Sequence, residues 1–239
     1  MSGIPKNTNF KQSKQFALDL GHVPSLSLEN FIVSDANSMA FEHVISFPNW
    51  RSPMTIIFGP PKSGKSHLAA IWQEKSNAII VTNDMLEKLT KHGGVQPVLL
   101  ENIDQHGFDE HGLFHLLNQS IRASRPVLMT AVKPISQWPY KTADVISRAR
   151  LATSFNVATP DDAQLSQMFI KLFDDRQIIV DPKIIGYLIS RMERSSEEVV
   201  ALVALMDEIA LSKGKPITRK LASEALEIRE MNTSDASKS

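Results

Sequence analysis

One short segment, residues 59–66, constrains the fold of this chain more than any other feature. It reads GPPKSGKS, which matches the pattern G-x-x-x-x-G-K-[ST], and it lies between the apolar run 55–58 and a helical run at 67–73. In such a loop, backbone N–H groups cradle phosphates at a helix N-terminus, while the lysine and the hydroxyl residue meet the outer phosphates and Mg²⁺. The sequence therefore predicts a strand, a phosphate-binding loop and a helix in direct succession. The predicted contacts are Gly59, Pro60, Pro61, Lys62, Ser63, Gly64, Lys65, Ser66 and His67.

Apolar clusters of two kinds alternate along the chain. Five short ones, at 55–58, 78–81, 98–100, 127–129 and 153–157, are strand-like, and longer stretches at helical spacing separate them. After residue 159 every apolar pattern has a helical period. We predict an α/β fold, with a parallel sheet flanked by helices over 24–158 and a small all-helical lid over 159–230. The polar segments 1–14 and 231–239 are predicted to be disordered tails.

The composition limits the compartment and the kinds of partner that suit this chain. The chain has no cysteine, which excludes disulfides and thiolate chemistry and favours a reducing, cytoplasmic location. Its formal net charge is zero, so no overall basic field attracts nucleic acid. No apolar run approaches the roughly 18 residues that span a bilayer, and the N-terminus lacks the apolar stretch of a secretory signal. We expect no membrane association and only indirect contact with DNA.

A second acidic site is expected at the tip of the strand beside the phosphate loop. The run 97–100 leads into Glu101 and Asn102, where a carboxylate for the Mg²⁺ shell and an acidic, water-orienting residue usually follow each other. Glu101 and Ser66 are therefore the predicted metal ligands. Asn102 cannot accept a proton, so we expect weak or absent hydrolysis by the chain itself. Asp104 is the alternative ligand, but that register would bury Glu101 and Asn102 inside a strand.

The stretch FGPPKSGKSHLAAIW at 58–72 resembles the AAA+ domain of the family of the bacterial replication initiator DnaA and its short paralogue Hda. Residues 28–33 are similar to the family motif that lies near the adenine. Residues 127–131 are similar to the strand that carries the polar first sensor, here Thr130. The likeness extends over 15–229 and implies ADP or ATP with Mg²⁺ as the ligand.

The same resemblance gives roles to two arginines. Arg148, in DVISR at 144–148, looks like the interfacial arginine finger that reaches the γ-phosphate on a neighbouring subunit, although Ala149 departs from the residue usual after it. Such a finger raises the rate of phosphoryl transfer about 10³- to 10⁵-fold. Arg194 looks like the second sensor, on the lid helix that closes over the nucleotide. Arg191, one turn earlier, is the competing assignment.

The N-terminal segment 15–20, QFALDL, resembles the Q-x-x-L-x-L peptides that dock on the replicative sliding clamp. In that mode Gln15 enters a polar notch, while Phe16, Leu18 and Leu20 fill apolar pockets. This implies the β subunit of DNA polymerase III as a partner. The alternative is a strand that packs on its own domain.

The chain ends shortly after the lid, without the helix-turn-helix domain with which the initiator reads DNA. The resemblance therefore implies a regulator that acts, with nucleotide bound, on the DNA-loaded clamp. There it offers Arg148 to ATP held by DnaA, stimulates hydrolysis in that partner and represses re-initiation of replication. Association of the chain with itself is compatible with this role. The alternatives are a clamp-associated adaptor without stimulation and a free-standing P-loop ATPase.

Overall fold

The computed structural model describes residues 26, 28, 31–92, 94–105 and 107–236. The predicted tail 1–14 and the candidate clamp-binding residues Gln15, Phe16, Leu18 and Leu20 lie outside the described residues. The strands are β1 Met54–Phe58, β2 Ile79–Ile80, β3 Val98–Leu100, β4 Val127–Ala131 and β5 Thr153–Asn156. The helices are α1 Ser38–Ile45, α2 Lys65–Ser76, α3 Asn83–His92, α4 Glu110–Ala123, α5 Ala143–Ala149, α6 Asp162–Asp174, α7 Pro182–Ile189, α8 Ser196–Lys213 and α9 Arg219–Ala236.

The five strands form one parallel sheet in the order β2-β3-β4-β1-β5. All five predicted strand segments are present, so the prediction of a parallel α/β sheet is confirmed. The sequence analysis expected β3, the strand that leads into Glu101, to lie beside the strand of the phosphate loop. This prediction is wrong, because β4 lies between β3 and β1. Strands that follow one another in the chain are joined through a helix, and such crossovers permit neighbours in the sheet that are not consecutive in the chain.

Helices cover both faces of the sheet, because successive strand residues point to opposite sides. Ile56 packs in one core with buried residues of α4 and α5, such as Leu113 and Val145. Ile57 packs in the other core with buried residues of α1 and α2, such as Val44 and Trp72. Burial on both sides explains why the strands read as continuous apolar runs.

Helices α6 to α9 form the predicted helical lid around a separate apolar core. Phe169, Phe173 and Leu188 are among its buried residues, and Ile32, from the segment before α1, packs against it. Asp161 and Gln164 form a capping box that starts α6, because both side chains satisfy free backbone N–H groups. None of the helices in the described part of the chain is long and apolar enough to cross a membrane.

The C-terminal boundary of the lid differs from the prediction. Helix α9 continues to Ala236, so residues 231–236 are helical and do not belong to a tail. The physical reason is that α9 is already propagating when it reaches this polar segment, and extending a helix is much easier than nucleating one.

Candidate functional site

The loop 59–66 has a backbone that only glycine permits at two positions. A Cβ built on Gly59 would lie 2.0 Å from the carbonyl oxygen of Val157, at the end of β5. Gly64 has φ 87° and is the N-cap of α2, where no side chain caps the helix. The first N–H groups of α2 therefore lack a side-chain acceptor and form an anion-binding end.

Lys65 is buried at this end of α2. Its Nζ donates hydrogen bonds to the carbonyl oxygen of Pro60 at 2.6 Å and to Oγ of Ser63 at 3.4 Å. Burial lowers the pKa of Lys65, and the charges of Asp104 and Glu197 oppose this shift. A buried ammonium with two neutral acceptors can bind an anion strongly, because little water screens the interaction. Lys62 and the side chain of Ser66 are exposed on the same loop.

Thr130 lies on β4, directly beside β1, and is paired in register with Ile57. Its side chain is buried, and its Oγ1 accepts a hydrogen bond from the backbone N–H of Asn102 at 2.8 Å. Asn102 has φ 47°, a left-handed conformation that asparagine tolerates better than most residues. The candidate first sensor is thus tied to the residue that follows Glu101.

Glu101 and Asp104 have different surroundings at the end of β3. Glu101 is half-buried and follows the strand directly, since β3 ends at Leu100. The carboxylate of Asp104 is buried and accepts backbone N–H bonds from Val132, at 2.9 and 3.1 Å, and from Lys133, at 2.8 Å. Asp104 therefore caps the loop after β4, and its oxygens are already engaged.

The segment before α1 contributes an aromatic wall. A Cβ built on Gly64 would lie 3.7 Å from the ring of Phe31. Phe31 also stacks on Phe41, with ring centroids 5.2 Å apart, and meets the buried ring of His67 edge-on at 5.0 Å. Asn37 fixes this segment through a hydrogen bond from Nδ2 to the carbonyl oxygen of Ile32 at 3.0 Å. The result is an apolar surface beside the phosphate loop.

The two arginines proposed for the second sensor point elsewhere. Arg194 was expected on a lid helix, but it lies in the loop before Ser195, the N-cap of α8, and forms an exposed ion pair with Asp162. Arg191 follows α7 and lies over the ring of Tyr187 at 4.2 Å. A polar run between two helices has no period that fixes which side chain faces the loop, so the sequence could not select between them.

Two acidic residues of the lid contact the phosphate loop instead. Glu193 forms an ion pair with Lys62. Glu197, in the first turn of α8, has Oε1 at 3.9 Å from a Cβ built on Gly64, and its charge acts to raise the pKa of Lys65. Both residues were missed at the level of sequence, because a glutamate in a polar turn, such as Glu193, or in the first turn of a helix, such as Glu197, is a common surface charge.

Arg148 lies in the last turn of α5, which packs against α4 on the opposite face of the sheet from α2. Its side chain is half-buried, and its Nε is buried without a hydrogen-bond partner among the described residues. Buried polar atoms are normally paired, so an unpaired guanidinium nitrogen requires an explanation. The structure does not bring Arg148 to the phosphate loop of its own chain.

The sequence matches no protein-family model and no curated protein. In three dimensions the chain is similar to domain III of the replication initiation protein DnaA from Thermotoga maritima, with TM-score 0.62 and 15% identity, covering 85% of this chain and 96% of that one. It is also similar to AMPPCP-bound DnaA from Aquifex aeolicus, with TM-score 0.62 and 18% identity, covering 76% and 64%. A RuvB variant from Thermotoga maritima has TM-score 0.59 and 13% identity, covering 85% and 72%.

These likenesses define the fold. A five-stranded parallel sheet flanked by helices, with a phosphate loop after β1 and a helical C-terminal part, is the architecture of AAA+ P-loop domains. Solved structures with this fold include domain III of DnaA and RuvB. At identities of 18% or less, this similarity shows the fold alone.

Proposed function

We propose that this chain is a regulator of the replication initiator DnaA, of the Hda type. With nucleotide bound and the segment 15–20 docked on the DNA-loaded sliding clamp, it offers Arg148 to ATP held by DnaA. Hydrolysis then occurs in the partner and lowers the amount of initiation-competent DnaA. The AAA+ fold shared with DnaA supports this proposal, because members of one fold can assemble through matching faces.

The nucleotide in this proposal is ADP or ATP with Mg²⁺. The uncapped N-terminus of α2 and the buried Lys65 fit a polyphosphate, and the glycines at 59 and 64 let the backbone approach it. Ser66 and Glu101 would hold Mg²⁺, which supplies charge neutralisation at the phosphate oxygens. Glu101 is favoured over Asp104, because the oxygens of Asp104 already accept backbone N–H bonds.

One observation carries the proposed mechanism: in the described part of the chain, the Nε of Arg148 at the end of α5 has no hydrogen-bond partner. A guanidinium whose Nε is held in a packed position can direct its outer nitrogens at negative charge that develops on a second molecule. The absence of contact between Arg148 and its own phosphate loop fits action in trans. Asn102 in the slot of the catalytic acid fits a chain that binds nucleotide without hydrolysing it efficiently.

The test is phosphate release from ATP-bound DnaA, with and without this protein and a DNA-loaded β clamp. We expect a large rise that needs both additions. Arg148→Ala should lower the stimulated rate of phosphate release about 10³-fold while leaving clamp binding intact. The matched control is Arg150→Ala, which removes an exposed arginine of the same segment. Gln15→Ala should weaken clamp binding and, with it, remove the rise that depends on the clamp.

Three other outcomes would contradict this mechanism or indicate a different function. Unchanged stimulation by Arg148→Ala would make the finger assignment wrong. Failure of the wild-type chain to stimulate DnaA, with clamp binding intact, would identify an adaptor that recruits another protein. Appreciable ATP turnover by the isolated chain would identify a free-standing P-loop ATPase and would require a base other than Asn102.

A further inference from the structure

Two histidines lie one turn apart on α4, the helix that covers the face of the sheet opposite to α2. His111 and His115 are both exposed, and their Nε2 atoms are 3.1 Å apart. Imidazole is the commonest metal ligand among the side chains, and residues four apart on a helix lie on the same face. This spacing brings two metal-ligating nitrogens to one point of the surface.

The hydrogen bond between the two rings is poorly aligned. The ring centroids are 4.3 Å apart and the ring planes meet at 73°, whereas nitrogens that pointed straight at each other across 3.1 Å would place the centroids farther apart. A hydrogen bond weakens as it departs from a straight line. The shared proton therefore joins the two rings weakly, and an ion that bonds to both nitrogens can replace it.

The separation of the two nitrogens fits the coordination sphere of one metal ion. Zinc binds imidazole nitrogen at about 2.0 to 2.1 Å, so two ligand atoms 3.1 Å apart subtend an angle of about 98° at the ion. That angle lies between the roughly 90° of square-planar and octahedral sites and the roughly 109° of tetrahedral sites. Both side chains can therefore bind one ion with little change in the backbone of α4.

The surroundings of the pair favour a cation. A cavity of about 700 Å³ lies between α3 and α4. Among the described residues, its charged lining consists of both histidines, the carboxylates of Asp84, Glu87 and Asp109 and the ammonium group of Lys91. Lys91 forms an ion pair with Glu87, so the other two carboxylates leave the cavity with negative charge. A cleft lined by one sign of charge raises the local concentration of the opposite ion.

Close packing fixes the turns of α4 that carry the pair. A Cβ built on Gly112 would lie 3.1 Å from Cβ of Leu86 on α3, so the two helices are in close contact there. Glu110, in the first turn of α4, accepts the backbone N–H of Thr142, the N-cap of α5, at 2.7 Å. Two other elements thus hold the start of α4, and a metal site is more exact on such a rigid element than on a loop.

We propose that His111 and His115 bind one divalent transition-metal ion through their Nε2 atoms, with water in its other coordination positions. In the described part of the chain, no third histidine, cysteine or carboxylate lies close enough to make a site of three ligands. The ion is therefore exchangeable, and it links successive turns of α4. This site is independent of the proposed function and of the phosphate loop at 59–66.

The experiment is calorimetric titration of the tag-free, full-length protein with Zn²⁺, without nucleotide, for wild type, His111→Asn and His115→Asn. We expect each substitution to weaken Zn²⁺ binding about 30-fold, because the second nitrogen of a chelate meets an ion that the first already holds. The matched control is Arg122→Ala, an exposed residue farther along α4, which should leave the affinity unchanged. Binding by wild type should weaken from about pH 7.5 to about pH 5.5, since only neutral imidazole ligates a metal.

Nitrogen NMR of isotope-labelled wild type gives a readout that needs no variant. Zn²⁺ should shift the Nε2 signals of both histidines together, and the shifts should be complete at one equivalent once the site is saturated. The proposal is overturned if wild type binds Zn²⁺ no more tightly than His111→Asn and His115→Asn, or if the two Nε2 signals do not move. It is also overturned if Asp84→Asn weakens binding more than the loss of a histidine, which would place the ion on the carboxylates of the cavity.

Discussion

The two walls of the candidate site differ in charge and in origin. The wall on the α/β side consists of consecutive residues and presents Lys62, Lys65 and the N-terminus of α2. The wall on the lid side lies more than a hundred residues away in the chain and presents Glu193 and Glu197. The contrast teaches that the loop presents positive charge and free N–H groups from one continuous segment, whereas the lid brings negative charge to the same loop.

The largest expected effect tests how rigid the loop wall is. Gly59→Ala places a Cβ 2.0 Å from the carbonyl oxygen of Val157, so backbone must move at the end of β5. We expect the free energy of unfolding to fall by about 3 kcal/mol. Gly186→Ala in α7 is the matched lid variant, since its Cβ meets nothing within 4 Å. It should raise the free energy of unfolding by about 0.5 to 1 kcal/mol.

Urea denaturation followed by far-UV circular dichroism measures both values. Equal losses in Gly59→Ala and Gly186→Ala would contradict the difference in rigidity between the loop and the lid. Nucleotide binding by any folded Gly59→Ala protein should also be weaker than in wild type, because the displaced loop no longer directs its N–H groups at one point.

The next effect concerns the charge of the loop wall. Lys65→Ala should weaken ADP binding about 100-fold, equivalent to about 2.7 kcal/mol, because a buried ammonium beside the helix end is lost. Lys75→Ala, in the last turn of α2, removes an exposed lysine from the same helix and should leave affinity unchanged. A titration with a fluorescent ADP analogue reports both. A loss below about threefold in Lys65→Ala would show that backbone N–H groups dominate.

A third prediction separates the two regions by their response to pH. The segment 159–230 contains no histidine, whereas His43, between the rings of Trp50 and Phe155, has its pKa lowered by burial. Below the ordinary value of 6.5 the unfolded chain takes up a proton that folded His43 resists. The contribution of neutral His43 to the free energy of unfolding is therefore fully present above that value. It is lost as the pH falls towards the lowered pKa, by up to about 1.4 kcal/mol per pH unit.

Urea denaturation at about pH 7.5 and about pH 5.5 checks this dependence. His43→Gln should lose the part of the pH dependence that belongs to this side chain, and the exposed His115→Gln should keep it. The same slope in both variants would mean that other groups of the α/β region control the acid response.

The smallest expected effect tests the lid arginine. Arg194→Ala breaks an exposed ion pair with Asp162, and such pairs contribute little. We expect nucleotide affinity to change by less than about twofold. Calorimetric titration with ADP and with ATP measures the change. A tenfold loss for ATP alone would restore Arg194 as the second sensor and would mean that the lid rearranges around bound nucleotide.

Particular residues show how far the sequence could be interpreted. The five strand segments, the helical lid and the loop 59–66 were all predicted, because each depends on residues that are close in the chain. The neighbour of β1 was predicted incorrectly, and the role of Asp104 as a loop cap was not foreseen. The path of the crossover connections determines which strand lies beside β1. A contact between residues 104 and 132 determines the role of Asp104. Neither leaves a local pattern in the sequence.

The sequence by itself determined the candidate phosphate-binding segment, since a glycine-rich loop followed by a helix carries its donors and its lysine in one continuous segment. Only the tertiary structure decided what faces that loop. It turned Arg194 towards Asp162 and brought Glu193 and Glu197 to Lys62 and Gly64. The physical reason is that docking of the lid core, and not helical periodicity, selects which charged side chain of a polar turn reaches a site formed by a distant part of the chain.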